Sequence, residues 1–208
     1  MRRTTGGLLA IGTIVLAGAG TALADTIIGT PGDDNLVGTQ RADLIRALSG
    51  DDRVRGLGAS DRIDGGAGDD ALNGDGECPP DRLGAPYYCI PGNDGNDRVS
   101  GGSGADNIRG EGGRDRLNGQ GGDDRLGGGP GGDRIAGGSG DDLTAGNSGA
   151  DRINPGSGQD LAFGGSGRDV ILTRDGFRDL VDCGPGRDVV RADRRDRVRR
   201  DCERVFRR

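Results

Sequence analysis

The sequence predicts an all-β fold, a solenoid in which short strands and tight turns alternate with a nine-residue period. Three observations carry this. Aspartate recurs at nine-residue intervals, glycine occupies two fixed places in each interval, and one aliphatic residue follows each aspartate at a constant distance. Composition excludes an ordinary interior. The 208 residues include 46 Gly, 31 Asp against 3 Glu, and 28 Arg, with no Lys, His or Trp and only five aromatics. So few large side chains cannot build a conventional core. A collagen-like polymer needs Gly at every third position, and that period is absent. The net charge of −6 gives no sign of nucleic-acid binding.

Aligned on aspartate, the units form two blocks. The first carries Asp34, Asp43, Asp52, Asp61 and Asp70; the second carries Asp97, Asp106, Asp115, Asp124, Asp133, Asp142, Asp151, Asp160 and Asp169. The 27-residue spacing from Asp70 to Asp97 equals three further units. Two residues after each aspartate stands an aliphatic, from Leu36 to Ile171, with Thr144 and Ala162 as exceptions. Gly precedes most of these aspartates by two residues and by five; Arg41 and Ala59, then Ala47 and Pro155, break those rules. Two glycines per unit are expected to supply positive φ, so that six residues turn tightly. The other three form a strand whose middle residue alone faces inward, because side chains alternate across a strand. Seven of the residues directly after aspartate are Arg (53, 62, 98, 116, 125, 134 and 152), which fits solvated strand faces.

The unit G-x-x-G-x-D-x-(aliphatic)-x resembles the RTX, or hemolysin-type, calcium-binding nonapeptide G-G-x-G-x-D-x-U-x. The resemblance covers residues 29–73 and 92–172. It implies a parallel β-roll with two units per coil turn, so that every second unit shares an edge. The slot before the aligned aspartate agrees: Asp33, Asp51, Asp69, Asp123 and Asp141 differ only by multiples of 18. The segment between the blocks is expected to occupy three strand slots and keep the phase. Arg41 and Ala59 both fall on the other edge, so the site joining Asp43 and Asp61 is expected to be weak or empty.

The same spacing explains a need for cations. Carboxylates stacked at the strand spacing of about 4.8 Å repel by roughly 3–4 kcal/mol at an effective dielectric near 20. A divalent ion between turns reverses that sign, and an all-oxygen shell of carboxylates and carbonyls suits Ca²⁺. The fourteen aligned aspartates are therefore the candidate metal ligands. Pairing each with the one 18 residues on gives three sites in the first block and seven in the second, up to about ten ions. One small aliphatic per nine residues offsets little of the ordering entropy. The chain is expected to be largely unfolded without Ca²⁺ and to fold on binding it.

The remaining segments set the context. Residues 1–24 read as a signal peptide: Arg2 and Arg3, an apolar stretch, then Ala22-Leu23-Ala24 before cleavage at Asp25. The expected domains are 25–73 and 92–172 for the two β-roll blocks, 74–91 for an insert loop, and 173–208 for an Arg-rich cap. Nothing after the signal is apolar for long enough to span a membrane. Four cysteines in an exported chain read as disulfides, and Cys78–Cys89 in the insert and Cys183–Cys202 in the cap are the expected pairs. Val198, Val205 and Phe206 are expected to cover the last layer. Without His there is no H-E-x-x-H zinc motif and no Ser-His-Asp triad; a carboxylate-based hydrolase is the remaining enzymatic alternative. The expectation is a secreted, non-catalytic calcium-binding protein. The alternative is a calcium-stiffened surface protein with an anionic cell-envelope polymer as partner.

Overall fold

The computed structural model describes residues 25–75 and 95–208. Cys78, Cys89 and the signal-like segment lie outside them. Among the described residues there are nineteen strands and no helix. The odd-numbered strands are β1 (Thr26–Ile28), β3 (Leu44–Ser49), β5 (Arg62–Ala67), β7 (Arg98–Ser103), β9 (Arg116–Gly121), β11 (Arg134–Ser139), β13 (Arg152–Ser157), β15 (Val170–Thr173), β17 (Val189–Ala192) and β19 (Arg204–Arg207). The even-numbered strands are β2 (Asn35–Val37), β4 (Arg53–Leu57), β6 (Ala71–Asp75), β8 (Asn107–Arg109), β10 (Arg125–Gly131), β12 (Leu143–Gly149), β14 (Leu161–Gly167), β16 (Leu180–Asp182) and β18 (Arg197–Val198). The odd strands form one ten-stranded sheet and the even strands one nine-stranded sheet, each in sequential order. Every pairing is parallel, and in the regular part residue i faces i+18, as in Arg134↔Arg152 and Leu126↔Thr144. Two units thus make one coil of a parallel β-roll.

Alternation across each strand fixes the interior. Aspartate points in, its neighbour out, the aliphatic in, the next residue out and glycine in, as the burial of Asp61, Ile63 and Gly65 against exposed Arg62 and Asp64 shows. The sequence pattern had assigned only the aliphatic to the interior. Two aliphatic columns form the core: Ile45, Ile63, Val99, Leu117, Ile135, Ile153, Ile171 and Val190 along one sheet, and Leu36, Val54, Leu72, Ile108, Leu126, Ala162 and Val181 along the other. Burial of each large aliphatic contributes about 1.5–3 kcal/mol. Thr144 completes the second column, its hydroxyl donating to the Leu161 carbonyl at 3.4 Å.

Three expectations are corrected. First, the 27-residue gap does not add layers. β5 pairs directly with β7 (Ile63↔Val99) and β6 with β8 (Leu72↔Ile108). The extra 18 residues equal one whole coil, so edge parity is kept without a strand being added between these pairs. Second, the glycine five residues before aspartate does not supply positive φ. The left-handed residues lie four and two before aspartate. The former include Leu48 (88°), Leu57 (89°), Glu111 (69°), Gln120 (81°) and Asn147 (74°), and the latter include Ala59 (67°) in place of glycine. Third, Val205 and Phe206 do not cover the core. β19 pairs with β17 and leaves Phe206 47 % exposed, because the chain simply adds another strand; Val198 does pack against the core. The expected Cys183–Cys202 disulfide is present, joining residues 19 apart in the last coils.

Candidate metal centre

The aligned aspartates form two ladders, one at each edge of the roll. One runs Asp43, Asp61, Asp97, Asp115, Asp133, Asp151, Asp169; the other runs Asp34, Asp52, Asp70, Asp106, Asp124, Asp142, Asp160. Within each, the backbone N–H of one aspartate donates to Oδ1 of the next layer's aspartate at 2.7–2.9 Å, for example Asp61 to Asp97 at 2.7 Å. The ladders cross the insert without a break, as the sheets do. Thirteen of these fourteen side chains are buried, and Asp34, in an end layer, is half-buried.

The sequence pattern assigns residues 173–208, where the aspartate–aliphatic beat drifts, to a cap; the ladders continue into it. Asp160 donates to Asp179 Oδ1 and Asp179 to Asp196 Oδ1, while Asp169 donates to Asp188 Oδ1 and Asp188 to Glu203. The signal was available: Val181 and Val190 stand two residues after Asp179 and Asp188. Their spacings of ten, nine and eight break the period, which reads as the start of a cap.

The second carboxylate oxygen is the chemical anomaly. Oδ2 of Asp52, Asp61, Asp70, Asp97, Asp106, Asp124, Asp133, Asp142, Asp151, Asp160, Asp169, Asp179 and Asp188 is buried and accepts no hydrogen bond from a described residue. A buried acceptor in that state costs about 1–3 kcal/mol, and more when charged. Burial pushes these carboxyls up from the usual 3.8. Asp97 rises to about 8, Asp61, Asp106, Asp142 and Asp179 to about 7, and Asp70, Asp151, Asp160 and Asp169 to about 6. The backbone N–H bond to Oδ1 opposes the rise, and neighbouring carboxylates add to it.

Glycine five before aspartate owes its place to this oxygen. A Cβ on Gly56 would sit against both Asp61 Oδ2 and the Gly74 carbonyl oxygen; one on Gly119 would meet Asp124 Oδ2 and, at 2.6 Å, the Gly137 carbonyl oxygen. At these glycines, carboxylate and carbonyl oxygens therefore converge on a space that a Cβ would fill. An all-oxygen, anionic donor set of this kind suits Ca²⁺ over softer ions.

The ladder ends are finished differently. Thr30 and Thr39 donate their hydroxyls to Oδ2 of Asp34 and Asp43, each at 3.1 Å, and their backbone N–H groups donate there too. At the far end, Asp196 Oδ2 accepts from the Thr173 hydroxyl at 2.9 Å and the Asp193 N–H at 2.6 Å. The Asp43–Asp61 layer keeps its backbone bond at 2.8 Å despite Arg41 and Ala59.

Fold and site together define a parallel β-roll whose edges carry stacked, inward-facing carboxylates suited to calcium. The profile of the RTX calcium-binding nonapeptide repeat family matches residues 19–47, 28–62, 46–76, 91–126, 127–162, 145–180 and 155–190, and the chain belongs to that family. No curated protein matches it.

Proposed function

We propose that the protein is a secreted, non-catalytic calcium-binding β-roll, folded by Ca²⁺ held between successive turns. The observation that carries this is the row of buried Oδ2 atoms with no hydrogen-bond partner among the described residues. Each needs a positive neighbour, and a divalent ion shared between layers meets that need at two carboxylates together. The fourteen aligned aspartates are the proposed ligands, with Asp179 and Asp188 added. Demand is lowest at Asp34 and Asp43, where threonine already satisfies Oδ2. The repeated carboxylates sit in near-identical surroundings, which favours one repeated duty over a single catalytic pair. Export is supported by the signal-like residues 1–24 and by the Cys183–Cys202 disulfide, a bond that persists in oxidising compartments. The test is far-UV circular dichroism of the mature chain in chelator and then in millimolar Ca²⁺, with the bound ions counted. Expected is a largely disordered spectrum that converts to β on addition of calcium. An unchanged spectrum with no bound calcium overturns the reading.

One observation favours an acidic envelope polymer as partner. Arg62, Arg98, Arg116, Arg134 and Arg152 stand in register on β5, β7, β9, β11 and β13. All five are exposed, and none of their guanidinium groups makes a hydrogen bond or ion pair with a described residue. The matching slots of the other sheet run Arg53, Ala71, Asn107, Arg125, Leu143. A stripe of like charges at about 4.8 Å spacing on an acidic protein is complementary to an extended polyanion. Polygalacturonate binding by the calcium-loaded protein at low salt should fall strongly in an Arg98→Gln/Arg116→Gln/Arg134→Gln variant and persist in Arg53→Gln/Arg125→Gln. Equal binding by the two variants removes this reading.

A further inference from the structure

The residue four before a ladder aspartate differs from layer to layer, and with it what meets that aspartate's Oδ2. Where it is Thr30 or Thr39, a hydroxyl and a backbone N–H supply the hydrogen bonds. Where it is a left-handed residue such as Leu48, Gln120 or Asn147, no described donor reaches Oδ2 of the ladder aspartates Asp52, Asp124 and Asp151. Before Asp179 the slot holds Asp175, which is not left-handed.

Asp175 therefore brings a third carboxylate to a place where two already stack. One oxygen each from Asp160, Asp175 and Asp179 lie within 4.8 Å of one another. Oδ2 of Asp160 and of Asp179 is buried there without a hydrogen-bond partner, and both residues are 1 % exposed. Asp175 is fixed in place: its Oδ1 accepts the Phe177 N–H at 2.9 Å and its Oδ2 accepts the Gly158 N–H at 3.2 Å. Neither arginine of Asp175's own turn, Arg174 or Arg178, forms an ion pair with a described carboxylate, and Arg174 instead donates to the Phe206 carbonyl at 3.1 Å. Ca²⁺ takes oxygen ligands at about 2.3–2.6 Å, so three oxygens this close together fit around one ion. The glycine slot five before Asp160 holds Pro155, so this layer departs from the repeat on that count as well.

We propose that Asp160, Asp175 and Asp179 form a three-carboxylate Ca²⁺ site that binds more tightly than the two-carboxylate sites of the repeat and fills before them. The proposal rests on the calcium-binding reading above. It follows from charge count and fixed ligands, the two properties by which oxygen sites tune calcium affinity. Asp160 precedes β14 and Asp179 precedes β16, which pair through Leu161↔Leu180. The ion would thus tie the last regular coil to the first irregular one, where aligned aspartates are 19 rather than 18 residues apart.

The test is calorimetric titration of the metal-free mature chain with Ca²⁺, with ion counting at saturation. Wild type should show one tight class ahead of a weaker majority. Asp175→Asn should weaken that class by roughly tenfold or more, the scale on which ligand charge tunes such sites, with the total ion count kept. Asp175→Thr copies the arrangement at Thr39 and should bind one ion fewer. An Asp175→Asn isotherm superimposable on wild type, at the same ion count, overturns the three-carboxylate site and leaves the calcium-binding reading standing. Failure of wild type to bind any calcium overturns both. Should Asp175→Asn not fold even at saturating calcium, Asp175→Thr decides: an unchanged ion count and first-step affinity rule the site out.

Discussion

Gly119 and Gly127 show what a single glycine does in this chain. An added methyl at Gly119 would collide with the Gly137 carbonyl oxygen at 2.6 Å and with Asp124 Oδ2, whereas one at Gly127 would meet only the Asn147 amide nitrogen at 3.7 Å. Gly119→Ala is therefore expected to lower the stability of the calcium-loaded protein by about 1–3 kcal/mol, the usual range for overpacking. It should also reduce the bound ion count. Gly127→Ala should stay within about 0.5 kcal/mol of wild type. Thermal midpoints of the two variants in saturating calcium check the contrast, and equal midpoints refute the cradle. The glycine spacing marked both positions of the unit as special. It did not separate room for an oxygen from freedom of φ, because both select glycine for want of a Cβ. The left-handed residues themselves include Leu48 and Gln120, which no glycine pattern reveals.

Strands and turns repeat so regularly that the irregular elements carry the information. In the last coils the spacing of aligned aspartates slips, yet β16, β17, β18 and β19 still pair in parallel with the strands before them. The Cys183–Cys202 disulfide staples this region, and both cysteines are buried in the core. Closing a loop of that size restricts the unfolded chain by about 3 kcal/mol. Reduction, or Cys183→Ala/Cys202→Ala, should lower stability by that order. Amide exchange should rise first in β16 to β19 and only later in β9 to β13. Uniform exchange along the roll would show that the staple does not act locally. The pairing of near-sequence cysteines was legible from their number and place. The continuation of the solenoid to Arg207 was not, since hydrogen-bond register tolerates a residue gained or lost in a turn while a sequence period does not.

Taken whole, the molecule is two stacks of buried carboxylates around a thin aliphatic core, and its stability must respond to protons and to calcium in opposite ways. The folded carboxyls titrate at about 6 to 8 in Asp61, Asp70, Asp97, Asp106, Asp142 and Asp151, above the usual 3.8. A raised folded pKa means the folded state holds protons that the unfolded chain releases. That contribution is present in full below about pH 3.8 and is lost as the pH rises through about 6 to 8. In chelator, the β signal should therefore be strongest near the acid end and fade towards neutrality. In saturating calcium the order reverses, because protons compete with the ion for the same oxygens. Circular dichroism across pH in both buffers checks this, and a metal-free signal that grows towards neutral pH contradicts it.

The sequence by itself determined the period, the β-roll, the aliphatic columns and the aligned aspartates, because each follows from residues that recur at fixed distances along the chain. Tertiary structure alone decided which oxygen of each aspartate is left without a partner, that the residues between the blocks add no layer, and that Asp175 joins Asp160 and Asp179. Those facts depend on contacts between coils, where one inserted residue or a change in the hand of a single turn redirects a side chain without altering the local pattern.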